Sequence, residues 1–298
     1  MMGREPYRFE WVEAPEALAP FLNSLYILRV GDRPVSDKMP AYSGQLLLTL
    51  EGGGTMLFED GTRADSSIAS LQCPLTQAHD FELQPGTTML GVSLNFRGWA
   101  ALTGLAVDKH CDSYLPVERG LGEAAGALAR KVAQRWRDGE ISERAALDEL
   151  AEIVRERISP LSPRHQQVID CTIEWLSSSL KPDIATLQAV LPYSERQVQR
   201  LVSRFFGQPP VRLIRRYRAI RAATLLAMPD LSPKLEAEVR DAFYDQAHMI
   251  KEIRHFTGRT PKRLTPKDHS VVKETLGEEG YGAVDLFGGN QDESLGKA

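Results

Sequence analysis

Two stretches of this chain, 51 residues apart, are copies of one pattern, and the duplication restricts the fold more than any single motif does. SERQVQRLVSRFFGQPP (Ser194–Pro210) aligns with DQAHMIKEIRHFTGRTP (Asp245–Pro261). Each copy opens on a helix-capping residue and has an apolar residue four positions on. Each then matches at Phe205/Phe256, Gly207/Gly258 and Pro210/Pro261. Ahead of each lies a short helical segment, IATLQAVL (Ile184–Leu191) or LEAEVRDAF (Leu235–Phe243), and a tight turn. Helix, short turn and capped second helix is the helix-turn-helix pattern. Between the copies, VRLIRRYRAIRAATLLA (Val211–Ala227) predicts one continuous helix of about 25 Å at roughly 1.5 Å per residue. A strut of that length suits two units set on successive major-groove faces, which recur about every 34 Å.

On a helical wheel the first capped helix gathers Val198, Leu201, Val202 and Phe205 on one side and Arg196, Gln199, Arg200, Ser203 and Arg204 on the other. Arginine presents a fork that fits guanine O6 and N7, and glutamine fits adenine, so the outward face has the chemistry of base reading. In the second copy Met249, Ile250, Ile253 and Phe256 form the expected buried face, while Ala247, His248, Lys251, Arg254 and His255 point outward. Asp245 reads as its cap, with Gln246 and His248 in the first turn; Lys251 and Arg254 suit phosphate or guanine. For one helix alone, a solvated basic face is the plainer reading; the duplicate shifts the balance towards function. A metal site is the other candidate for the two histidines, but His248 and His255 stand about 10 Å apart along a helix axis and no third ligand accompanies them, so no metal is expected.

Charge is distributed unevenly. The whole chain carries −4, yet from Asp183 to Leu264 fifteen Lys and Arg stand against eight Asp and Glu, a net +7 that leaves −11 on the remainder. A basic segment joined to an acidic body is what a polyphosphate-binding domain attached to a different domain would show. A length of 298 residues accommodates two domains, and no apolar run approaches the roughly 20 residues that cross a bilayer. The opening MMGREPYRFEWVEAPE lacks a secretory pattern, so a cytoplasmic protein without membrane contact is expected. Cys73, Cys111 and Cys171 are widely spaced and odd in number, which reads as reduced and structural.

The first hundred residues read as strands. GQLLLTL (Gly44–Leu50), three glycines and TMLFEDG suggest strands and a hairpin at Asp60-Gly61, a dipeptide that accepts positive φ. HDFEL, QPG and TTMLGVSLNF suggest a second hairpin, and the whole a β-sandwich or small barrel. Beyond it the period turns helical: Leu121, Ala125, Leu128, Val132 and Trp136 share one face, Ser142 caps the next helix, and Ser162-Pro163 starts a third. The expected organisation is a β-rich domain over 1–110, a helical connector over 111–180, the double helix-turn-helix over 181–266, and an acidic, Gly-rich, poorly ordered tail over 267–298. His79, the one histidine of the strand region, lacks partners for a metal, and Cys73 has no basic neighbour in sequence to activate it.

FYDQAHMIKEIRHFTGRTPKRL, with SERQVQRLVSRFFGQPPVRL upstream, resembles the AraC/XylS family of bacterial transcription regulators over about Pro182 to Leu264. The resemblance implies an α+β chain: a cupin-like β-rich domain that binds an effector or dimerises, then an all-α domain of two helix-turn-helix units. It implies double-stranded DNA as partner, read by Glu195, Arg196, Gln199 and Arg200 in the first helix and by Gln246, Ala247, His248 and Lys251 in the second; the helix faces themselves add Arg204 and Arg254 to the expected DNA-binding residues. A small-molecule effector, RNA polymerase and a second copy of the chain are the further partners implied; no cofactor and no catalysis are. The family usually carries glycine in both turns where this chain has Pro192 and Ala242; alanine at positive φ costs roughly 1 kcal/mol, so either the turn differs or strain is carried there. Two other classes stay open on the residues alone: an enzyme in the β-rich half with a helical targeting module, and a module whose arginine faces bind an acidic protein.

Overall fold

The computed structural model describes residues 6–228, 231–264 and 271–276. In chain order the strands are β1 (Tyr7–Val12), β2 (Leu22–Val30), β3 (Val35–Met39), β4 (Gln45–Glu51), β5 (Gly54–Leu57), β6 (Arg63–Asp65), β7 (Ala69–Gln72), β8 (His79–Leu83), β9 (Thr88–Leu94) and β10 (Tyr114–Pro116). Two short helices, α1 (Phe96–Thr103) and α2 (Val107–His110), precede β10. After it come α3 (Glu118–Leu121), α4 (Glu123–Arg137), α5 (Glu143–Arg157), α6 (Pro163–Ser177), α7 (Ile184–Val190), α8 (Glu195–Phe206), α9 (Pro210–Ala227), α10 (Pro233–Asp241), α11 (Gln246–Thr257) and α12 (Val271–Leu276). The chain is α+β, as expected.

The strands form two antiparallel sheets, ordered β1-β2-β9-β4-β7-β10 and β3-β8-β5-β6. The larger sheet is covered on both faces, which is why β2, β4 and β9 read as near-continuous apolar runs rather than alternations. One face, with Ile27, Leu46, Leu48, Leu90 and Val92, packs in the core shared with α4 and α5. The other, with Tyr26, Leu28, Leu47 and Met89, meets Val35, Met56, Phe81 and Leu83 of the smaller sheet. Each such side chain contributes about 1.5–3 kcal/mol on leaving water.

One turn reading needs correction. The Gln-Pro-Gly after β8 does not close a hairpin: there, as at the glycines after β4, the chain crosses from one sheet to the other, and β9 inserts between β2 and β4, with Leu46 opposite Val92. The Asp60-Gly61 turn does close a hairpin, β5 to β6, with Gly61 at φ 83°. Asp60 itself keeps a negative φ, since Asp112 is the one non-glycine residue with positive φ among the described residues. In α4 the buried stripe is rotated from the expected one: Ala125, Ala129, Val132 and Ala133 face inward and Leu128 is 42% exposed. Small alanines let α4 lie close against α5, whose Ala146 is equally buried. The caps hold as read: Ser142 accepts from the Ala145 amide and Ser162 from that of His165. Beyond Pro266 the expected loose tail is corrected for Val271–Leu276, which forms α12, with Val271 buried in the core between the two sheets. The rest of that tail lies outside the described residues.

Candidate nucleic-acid interface

The first unit is α7 and α8, the second α10 and α11, with α9 as the strut. Helix α8 starts at Ser194, whose amide donates to Gln197 Oε1 at 3.1 Å, and stops at Gly207 in the left-handed conformation, φ 81°. Helix α11 starts at Asp245, which accepts from the His248 amide at 2.7 Å, and stops at Gly258, φ 75°. Both stops need glycine because a Cβ at that φ clashes with its own backbone. The turn at Ala242 is right-handed helical, φ −70° and ψ −15°, so it differs from a glycine turn and carries no strain.

Val198, Leu201, Val202 and Phe205 are buried, while Glu195, Arg196, Gln199, Arg200 and Arg204 are exposed. Gln199 Nε2 donates to Glu195 Oε1 at 3.1 Å, one turn apart on the outer face. In α11, Gln246, Ala247, Lys251 and Arg254 are exposed and Met249, Ile253 and Phe256 are buried. Two residues depart from the wheel. Ile250 is half-buried, beside the cleft described below. His248 is also half-buried: its Nδ1 accepts from the Tyr244 amide at 3.4 Å, and its Nε2 lies 3.2 Å from Glu252 Oε1, turning the ring along its own helix.

Glu252, which sequence reasoning passed over, fixes the second unit to the strut. Its carboxylate is 2% exposed and accepts from Arg215 Nε at 2.6 Å and from Arg218 Nη2 at 2.6 Å. Burial opposes its charge, but the bonds from Arg215 and Arg218, and the charges of Arg218 and His248, outweigh it and hold the carboxyl below its ordinary value. Arg218 also donates to the Ala242 carbonyl at 3.2 Å, closing the end of α10. The signal was available: Glu252 stands between Met249, Ile253 and Phe256 on the apolar face, where an acid needs a partner.

Both units also rest on the β-rich half. Phe206 packs on Phe96 with ring centroids 4.3 Å apart, and the Phe256 and His255 carbonyls accept from the Ala41 and Ala78 amides at 2.7 and 3.0 Å. Arg259, just past α11, pairs with Asp37 of β3. The outward faces consequently border clefts against that half. Arg196, Gln199 and Arg200 share one with Asp108; Ala247, Lys251 and Arg254 share another with Glu59 and Asp80. His255 lines the second cleft, where partial burial foremost lowers its pKa.

His79, Cys73 and Cys111 are the other candidates of the β-rich half. His79 is 2% exposed at its side chain, with Nε2 2.8 Å from Asp112 Oδ1. Burial pushes the Cys73 thiol up to about 11 and the Cys111 thiol up to about 12, away from the thiolate a nucleophile needs. Between the two sheets lies a cavity of about 50 Å³, with Phe9, Trp11, Tyr26, Gln45 and Gln72 in its wall and Val271 and Thr275 of α12 at its edge.

Two capped helices with exposed basic faces, joined by one strut, define a DNA-binding regulator of the double helix-turn-helix class. Residues 187–266 match the family described as "Helix-turn-helix domain", a domain of the AraC type. No curated protein matches the chain. Among solved structures it is similar to ToxT from Vibrio cholerae O395, at 8% identity over 88% of this chain and 98% of that one, with a TM-score of 0.42. It is also similar to the AraC-like transcriptional activator CuxR, at 11% identity over 73% and 87%, with a TM-score of 0.31. The family match is confined to residues 187–266.

Proposed function

We propose that the protein is a sequence-specific transcription regulator whose helices α8 and α11 enter adjacent major grooves and whose β-rich half binds a small effector. The observation that carries this reading is the pair of exposed polar faces held by α9. Its 18 residues, roughly 27 Å at 1.5 Å each, approach the spacing of successive groove faces on one side of a duplex. Arg196, Gln199 and Arg200 in α8, and Gln246, Ala247 and Lys251 in α11, supply the base-reading chemistry; Glu195, Arg204 and Arg254 flank them. His248, turned towards Glu252, reaches a base only after a rotamer change. The cavity between the sheets supports the effector reading. Pairing of two copies on neighbouring half-sites, and a contact with RNA polymerase, belong to the same proposal.

Selection of bound duplexes from a random pool by the full chain tests it. A recovered motif with two elements about one helical turn apart, bound with a steep negative salt dependence, is the expected result. Equal micromolar binding to every duplex would sink the sequence-specific claim. Sedimentation of the complex with a selected duplex gives the number of copies bound.

A further inference from the structure

The cavity between the sheets has features that name the kind of molecule it takes and the segment that competes for it; both rest on the effector reading above. Its volume, about 50 Å³, holds a few waters and not a ligand of ordinary size. What narrows it is the chain itself: Val271 is 1% exposed, Thr275 is 5% exposed, and both line the cavity. Helix α12 is held there by the Val271 amide, which donates to Asp37 Oδ2 at 2.9 Å, while Arg259 at the end of the second unit pairs with the other oxygen of the same carboxylate.

The wall specifies chemistry. Phe9 and Trp11 stack at 5.2 Å and 11°, and Tyr26 meets both at 5.4 and 5.5 Å. Tyr26 is placed by Gly91: a Cβ there would fall 1.9 Å from the ring. Tyr26 donates to Gln45 Oε1 at 2.9 Å, so that acceptor is occupied. Gln72 is different. It is 2% exposed, its Oε1 accepts from Tyr114 at 3.2 Å, and its Nε2 has no hydrogen-bond partner. A buried amide donor left empty is costly, and a ligand acceptor would relieve that cost. Among the described lining residues the one charged side chain is Glu82, at the solvent edge, so nothing in the wall neutralises an anion.

We propose that this cavity binds a neutral, largely apolar small molecule with a carbonyl or ether oxygen, that Gln72 Nε2 donates to that oxygen, and that the ligand enters by displacing α12. Displacement removes the Val271 bond from Asp37, the residue that also holds Arg259. Occupancy of the cavity is thereby coupled to the seat of the second helix-turn-helix unit.

Calorimetric titration of the full chain with benzylacetone, its carboxylate counterpart hydrocinnamate and the hydrocarbon butylbenzene tests this. Benzylacetone is expected to bind and hydrocinnamate not. Val271→Lys, or Val271→Ser as a milder form, is expected to tighten benzylacetone several-fold by emptying the mouth. Gln72→Leu, with Gln72→Met as a second form, is expected to weaken benzylacetone roughly fivefold to tenfold and leave butylbenzene unchanged, the size of one neutral hydrogen bond. Hydrocinnamate bound as tightly as benzylacetone would overturn the ligand class and leave the effector reading standing. Equal benzylacetone affinity in wild type and both Val271 variants would overturn the competition. No binding of any probe to wild type or the Val271 variants would remove the effector reading as well.

Discussion

Arg218 Nη2 lies 2.6 Å from Glu252 Oε2, with the two side chains 9% and 2% exposed. This buried pair joins α9 to α11 and so sets the angle at which the second recognition helix is presented. Removing one member of such a pair leaves the other charge buried and unpaired, at a cost of roughly 3–5 kcal/mol. Glu252→Gln is expected to lower the denaturation midpoint sharply and weaken duplex binding. Both read out together, by thermal melting and by titration with a selected duplex.

Acid should act through the same residue. The Glu252 carboxyl titrates below its ordinary value in the folded chain, so the unfolded chain takes up the proton first as pH falls. Its contribution is full above the unfolded value of about 4.3 and is lost as pH drops through the folded one. The stability difference between wild type and Glu252→Gln is therefore expected to be constant from pH 7 down to about 5 and to narrow below it, measured by denaturant midpoints across that range.

Arg216 is wholly buried in α9, with its guanidinium donating to the Phe206 carbonyl at 3.4 Å and lying 5.5 Å from the Tyr217 ring. No carboxylate pairs with it among the described residues. A buried charge without a counter-charge is a burden on folding, so Arg216→Met is expected to raise the thermal midpoint or leave it unchanged, with a gain on the order of 1 kcal/mol. A clear loss of stability by the same melt would contradict this.

Gly91→Ala places a methyl group in the Tyr26 ring. Overpacking of this kind costs about 1–3 kcal/mol, and the ring must leave its place beside Trp11. A lower unfolding midpoint, together with changed near-ultraviolet circular dichroism, is the expected outcome.

Arg200 and Arg254 are both exposed, yet their alanine variants should differ. Arg200→Ala is expected to relax preference at one base position, worth about 1–3 kcal/mol there, while Arg254→Ala weakens all duplexes more evenly. Binding to a panel of singly substituted sites separates the two patterns.

What the sequence determined by itself was local. The two capped helices, their apolar faces, the strut and the glycine stops are written in capping residues and a 3.6-residue period, which act over a turn or two of chain. The repeat made that local information legible twice. What the tertiary structure decided was non-local. The glycine-rich turns could not say that β4 and β5, or β8 and β9, lie in different sheets, because a turn does not record which hydrophobic face its strands will find. The negative φ of Ala242 and the His248 contact follow from how α10, α9 and Glu252 pack. Val271 opens a helix of only six residues, too short for a period to announce it. Its place beside Trp11 and Gln72 exists only because two sheets leave an apolar gap and the end of the second unit, anchored on Asp37, brings it within reach.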